Sequence, residues 1–190
     1  MLDRLGTRLR SRRVARQLKG LPPPRLIDVG CGAFNSCIEH LLRRGVVSET
    51  SLGIDPNVPQ LKSPNFEQLD VRGLRQHSFH KFDMATSLAV IEHLPVNEVL
   101  SHLRDTRACL RPGGALLLTT PTPSAKPVLE FLAFRLRVLS QQEIADHRHY
   151  WSSHELMSAP HEAGYSDIWM KYFQLGPNRQ AIAKSMKLSV

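Results

Sequence analysis

Leu26-Ile27-Asp28-Val29-Gly30-Cys31-Gly32 decides how the rest of this 190-residue chain is read. Leu26 to Val29 is a short apolar run with β-branched residues, the composition of a buried strand. Gly30-Cys31-Gly32 ends it, and Cys37, Ile38, Leu41 and Leu42 then recur at helical spacing. Strand, glycine turn and helix make the first half of a βαβ unit. The glycines permit positive φ and close approach to a ligand, and the helix start offers unpaired N–H groups. Asp28 is the informative residue, because a carboxylate at the end of a buried strand repels a pyrophosphate but suits a cationic or hydrogen-bond-donating group.

Working outward, 190 residues suffice for one α/β domain with a full core and are short for two. No apolar run approaches the roughly 20 residues of a membrane span. Cys31, Cys37 and Cys109 make neither a metal spacing nor a disulfide framework, so a reducing, cytoplasmic setting is expected. Of the formal net charge of +8, +6 falls in residues 1–20, where Arg4, Arg8, Arg10, Arg12, Arg13, Arg16 and Lys19 oppose Asp3. The remainder carries no broad basic footprint, which argues against nucleic acid as a partner. Leu2, Leu5, Leu9 and Val14 lie between the arginines, as in a helix packed on the domain. Contact with an anionic membrane surface and an Arg-rich organelle presequence are the other readings of this segment.

Residues 1–24 are therefore read as a basic helix plus the stiff Leu21-Pro22-Pro23-Pro24 linker, and 25–190 as the main domain. A helix from about Asn35 ends at Gly45. A second strand, Ser51 to Asp55, ends in a carboxylate 25 positions after Gly30, followed by Pro56. A third covers Asn65 to Leu69 and ends at Asp70-Val71, and a fourth runs from Phe82 to Leu88. A helix from Pro95 to Leu110 stops at Arg111-Pro112-Gly113-Gly114, and Ala115 to Thr120 is the fifth strand. After a break at Thr120-Pro121-Thr122-Pro123, an apolar helix is predicted over Val128 to Leu139, then one from Ser153, its N-cap, to Ala163. Two closing strands, Ser166 to Leu175 and Gln180 to Ser185, are joined through Gly176-Pro177-Asn178. Alternating strands and helices predict a parallel, doubly wound sheet.

The dinucleotide pattern G-x-G-x-x-G requires a glycine at 35, where this chain has Asn. The ordered set Leu-Ile-Asp-Val-Gly-Cys-Gly at 26–32, Gly-Ile-Asp at 53–55, Asp70-Val71, Phe-Asp at 82–83, Val-Ile-Glu-His-Leu at 90–94 and Leu-Arg-Pro-Gly-Gly at 110–114 resembles the class I S-adenosylmethionine (SAM)-dependent methyltransferases. It departs from them at Phe34, where a glycine is usual. The resemblance implies a Rossmann-like, doubly wound, seven-stranded, mostly parallel sheet with an antiparallel last strand, with SAM as cofactor and S-adenosylhomocysteine as product. It also implies roles. Gly30, Cys31 and Gly32 lie against the cofactor, and Asp28 holds its amino group. Asp55, followed by Pro56, takes the ribose hydroxyls, Asp70 accepts from the adenine amino group beside Val71, and Ser87 and Leu88 border the methionine portion.

A sulfonium methyl is already activated, so the protein must mainly align the acceptor, and a hydroxyl acceptor gains from a nearby base. His93, His147 and His149 are the candidate catalytic residues, with packing alone as the competing reading of each. His147 and His149 lack a third ligand at a usual spacing, so no metal is expected. Residues 121–151 are read as a lid or acceptor-pocket insertion. Enzymes that methylate amide or adenine nitrogens commonly carry Asn/Asp-Pro-Pro-Tyr/Phe after the fourth strand, and this chain has Ser87-Leu88-Ala89-Val90 there. O-methylation of a small molecule is the favoured function. Alternatives are a non-catalytic SAM-binding module, kept open by Phe34, an RNA methyltransferase, and a nicotinamide oxidoreductase, disfavoured by Asp28 and Asn35.

Overall fold

The first strand, β1 (Leu26–Val29), is buried along its whole length, as a strand covered on both faces must be. A computed structural model describes residues 2–33, 35–59, 63–77, 81–136, 139–173 and 178–185. Phe34 and most of the turn expected at Gly176–Asn178 lie outside these. After α1 (Leu2–Gln17) and β1 come α2 (Ser36–Leu42), β2 (Leu52–Ile54), β3 (Phe66–Glu67), α3 (Val71–His77), β4 (Phe82–Leu88), α4 (Val96–Cys109) and β5 (Leu110–Pro121). Then follow α5 (Lys126–Glu130), α6 (Gln141–Ala145), α7 (Ser153–Glu162), β6 (Tyr165–Phe173) and β7 (Asn178–Ser185). The strands form one sheet in the order β3-β2-β1-β4-β5-β7-β6. Neighbours from β3 to β5 run parallel, while β7 is antiparallel to both β5 and β6. The carboxyl ends of β1, β2 and β4 therefore open on one edge, beside the point where the strand order reverses.

One face of the sheet packs Phe82, Leu103, Leu110, Trp151 and Leu156, and the other packs Leu26, Ile38, Leu41 and Leu117. Helix α1 belongs to the second layer: Val14 and Leu18 are buried in that cluster. Among the described residues no helix is long and apolar enough to cross a membrane.

Several local readings change. Val71 is not a strand end but the first residue of α3, and Asp70 accepts hydrogen bonds from the Arg72 and Gly73 N–H groups as that helix begins. Helix α4 ends at Cys109, and β5 starts at once. Phe82 pairs with Leu110 but Met84 pairs with Ala115, so Arg111–Gly114 bulge out and Arg111 Nε meets Asp83 Oδ1 at 2.9 Å. The cap of α7 is Ser152, not Ser153. Its Oγ accepts from Glu155 N while Glu155 Oε2 accepts from Ser152 N, a reciprocal capping box.

The apolar run from Val128 is no continuous α-helix. α5 widens into a π-helical turn over Phe131–Arg135, closed by Leu136 N donating to Phe131 O at 3.2 Å. Val128, Phe131, Phe134 and Leu136 each remain about half exposed. Only Ala133 of that turn is buried.

Candidate active site

Two neighbouring groups of residues build the site at the carboxyl edge of the sheet. The first is the glycine turn. Gly30 and Gly32 both have positive φ (75° and 72°). A Cβ on Gly30 would stand 2.6 Å from Val90 Cγ2, whereas one on Gly32 would project into open space. Gly32 N donates to Asp55 Oδ2 at 3.0 Å, and Asn57 N donates to Asp55 Oδ1 at 3.0 Å, so the carboxylate after β2 is oriented from two sides and still has lone pairs to offer.

Asn35 takes the left-handed conformation (φ 45°) that a glycine would take most easily, and its Nδ2 donates to Asn65 O at 2.8 Å. It packs so closely on Gly53 that a Cβ there would stand 2.0 Å from Asn35 Oδ1. The position that breaks the dinucleotide pattern is therefore a fixed point between the turn and β2.

Asp28 is buried and accepts from Thr86 Oγ1 at 2.6 Å. Burial pushes its carboxyl up to about 7, against the Thr86 hydrogen bond and the charge of Arg10, which both favour the ionised form. The Cys31 thiol is pushed upward too, chiefly by burial, so it is no nucleophile at neutral pH.

The second group follows β4. Ala89 has φ 61°, an uncommon value for a residue with a Cβ, and its N–H donates to Thr119 O at 2.9 Å. The tight turn after it places Glu92 and His93 beside the edge. The segment after α6 is clamped on: Arg148 N and His149 N both donate to Glu92 O (2.7 and 3.3 Å), and Trp151 Nε1 donates to Ile91 O at 3.3 Å.

This clamp sets the His147 ring edge-on to His93, with centroids 4.7 Å apart, and His147 Nδ1 lies 3.1 Å from Tyr150 OH. Burial lowers the pKa of both imidazoles. His147 falls to about 4, lowered further by the charge of a protonated His93. Both rings are thus neutral at pH 7. Glu92, itself buried, is pushed up to about 7 by desolvation. His147 opens onto a cavity of ≈ 470 Å³ also lined by Lys126, Glu130, Phe134, Ile144 and Tyr150.

A family model described as "Methyltransferase domain" matches residues 2–168. The chain belongs to this methyltransferase family. Ubiquinone biosynthesis O-methyltransferase of Histophilus somni is 28% identical over 122 residues, which are 56% of this chain and 49% of that protein. tRNA U34 carboxymethyltransferase of a Geobacter species is 29% identical over 119 residues, 57% of this chain and 35% of that protein. The chain thus spans about half or less of the curated relatives it matches. Its fold is shared with a SAM-dependent methyltransferase from Archaeoglobus fulgidus (TM-score 0.71, 16% identity, 94% of each chain covered). It is also shared with the Burkholderia thailandensis 1,6-didemethyltoxoflavin-N1-methyltransferase solved with S-adenosylhomocysteine (TM-score 0.64, 15% identity, 96% of this chain and 79% of that one).

In this methyltransferase the cofactor is SAM, and the expected residues are only partly brought together. Asp28, Gly30, Cys31, Gly32 and Asp55 converge, with Pro56 exposed just beyond. Asp70 is exposed, and one of its oxygens is already committed to the start of α3. Ser87 does not face the crevice. It is buried, with its Oγ 3.5 Å from His102 Nε2 of α4, and Leu88 packs toward the α1 layer. His93 and His147 meet. His149 borders the same cavity but does not join that pair, and its Nε2 lies 2.9 Å from Glu155 Oε1.

Residues the sequence reading passed over are Thr86, paired with Asp28, and Arg10, whose charge acts on both Asp28 and Glu92. Strand alternation supplied the signal for the first: Asp28 and Thr86 are register partners on adjacent strands, and Ser87 must then face the other way. Nothing local marked Arg10 out among its neighbours.

Proposed function

We propose that this chain transfers the methyl group of SAM to a hydroxyl of a small molecule held between the glycine turn and residues 126–150. The observation that carries this reading is the His93–His147 pair, neutral and edge to face, between the carboxyl end of β4 and a cavity with both apolar and polar walls. SAM brings a methyl group on sulfonium sulfur, ready for displacement.

The residues present fit that cofactor. The open space at Gly32 admits it, and Asp28 matches a cationic ammonium. Asp55, oriented by two backbone N–H groups, accepts from a pair of vicinal hydroxyls. Asp70 keeps an oxygen for an exocyclic amine beside the Val71 backbone. His93 and His147 offer lone pairs to the acceptor hydroxyl and fix its oxygen toward the methyl group, while Phe134 and Ile144 supply apolar wall.

Incubation with methyl-labelled SAM and, separately, total metabolites or total RNA tests the reading. Label in a small-molecule ether supports it, and label in RNA overturns it. Deletion of 126–140 should abolish turnover and spare cofactor binding by calorimetry.

A further inference from the structure

Glu92 is 1% exposed, and neither of its carboxylate oxygens has a hydrogen-bond partner among the described residues. Its own N–H and the Thr120 hydroxyl are near enough to act on it electrostatically, as is the charge of Arg10, but neither closes a well-formed hydrogen bond and the burial is offset only in part. A buried carboxylate without partners is costly, and such groups in folded proteins are normally paired or bound to a metal. One ligand atom each from Glu92, His93 and His147 lies within 4.8 Å of the others.

Both imidazoles also have the outer partners that metal-bound histidines use. His147 Nδ1 lies 3.1 Å from the Tyr150 hydroxyl, and the His93 ring bonds to the Asp146 backbone, so each imidazole keeps a second nitrogen for an ion. The backbone bond from Arg148 N to Glu92 O ties the two ligand-bearing segments together at 2.7 Å.

We propose that Glu92, His93 and His147 form a three-ligand site for a divalent transition-metal ion of the zinc class, with its open position toward the cavity at Tyr150. Two histidines, a carboxylate and one open position make a catalytic donor set for zinc rather than a closed structural one. Four-coordinate ligands about 2.1 Å from zinc stand roughly 3.4 Å apart, so the cluster contracts by roughly 1.4 Å at its widest when the ion enters. The backbone beside His147 is held by Glu92 O, so the contraction falls to side-chain rotation.

The role of the ion rests on the function proposed above; its binding does not. With the ion bound, the His93 and His147 lone pairs would hold it in place of the acceptor hydroxyl, which would sit at the open position with its pKa lowered. The O–H bond breaks with the proton passing to solvent, an O–CH3 bond forms as the S–CH3 bond breaks, and sulfur keeps the electron pair as a neutral thioether.

The test is titration of the chelator-stripped chain with Co2+, followed by the visible bands that cobalt shows in four- and five-coordinate sites. One saturable equivalent, displaced by Zn2+, is expected. Glu92→Gln and His147→Ala should each weaken it by roughly 100-fold or more, and Tyr150→Phe by roughly tenfold, while His149→Ala leaves it intact. Tyr150→Phe keeps the test open should a ligand variant fail to fold. A chain with no saturable spectrum, or with one unchanged in these variants, overturns the site. SAM binding and turnover in such a chain would leave the methyltransferase reading standing, and cobalt binding by a chain that does not bind SAM would overturn that reading and keep the metal.

Discussion

Thr86 Oγ1 donates to Asp28 Oδ1 at 2.6 Å between register partners on β4 and β1, and both residues are buried. That bond is a partial remedy, because burial still holds the Asp28 carboxyl at about 7, well above its ordinary 3.8. Below 3.8 the carboxyl is protonated folded or unfolded and folding is unaffected. Between 3.8 and about 7 the folded chain binds the extra proton, so stability falls as pH rises, and above 7 the whole penalty is present. It is on the order of 4 kcal/mol at most. Asp28→Asn should raise the melting temperature of the ligand-free chain at pH 8 and flatten its dependence between pH 4 and 7. Thr86→Val should do the reverse, lowering it by about 1–3 kcal/mol. Thermal melts across pH check both.

Cofactor affinity should follow the same group with opposite sense. A bound ammonium favours the ionised Asp28, so S-adenosylhomocysteine should bind more weakly as pH drops below about 7, and binding should take protons off the protein. In Asp28→Asn the affinity should be lower and nearly independent of pH. Calorimetry in buffers of different ionisation enthalpy measures the proton release directly.

Gly30 and Gly32 share a positive φ but not a neighbourhood, and alanine should separate their roles. Gly30→Ala drives a methyl to 2.6 Å from Val90 Cγ2, which combines strain with a clash and should destabilise the chain by about 2–4 kcal/mol. Shortening Val90 to alanine in the same chain should recover part of that loss. Gly32→Ala meets nothing, so it should cost about 1 kcal/mol in stability yet remove most cofactor affinity. Melting temperatures that fall equally in the two variants would contradict this division.

His149 should behave as a structural residue. Its partner is Glu155 Oε1, and Glu155 is the return arm of the capping box at Ser152. His149→Ala should lower the melting temperature slightly and leave kcat within about twofold of the parent. Ser152→Ala should destabilise by about 1 kcal/mol. His147→Ala should lower kcat by roughly 100-fold with little change in cofactor affinity. Steady-state kinetics beside cofactor titration distinguish the two histidines.

What was legible in the sequence was local. The strand, glycine turn and helix at 26–42, the carboxylate closing β2 and the β4 run each depend on neighbours in the chain, and the fold follows from their order. What escaped depended on partners far apart. Asp70 reads as a strand-end acid until the short α3 is seen starting on it, a helix too brief to show periodicity. Place in a motif puts Ser87 at the crevice, whereas strand alternation beside the Asp28–Thr86 pair turns it toward α4. The meeting of Glu92, His93 and His147 requires the 147–151 segment to fold back on the turn after β4, and no spacing along the chain encodes that return.

Strand β7 lies between β5 and β6, so β6 has no neighbour in the sheet until residues 178–185 exist. During synthesis the first-made strands can assemble around the cofactor crevice while β5 waits with its backbone groups exposed. Strand β7, made after β6, must then insert rather than append. A chain interrupted before residues 178–185 would therefore present the open edge of β5 to other nascent chains.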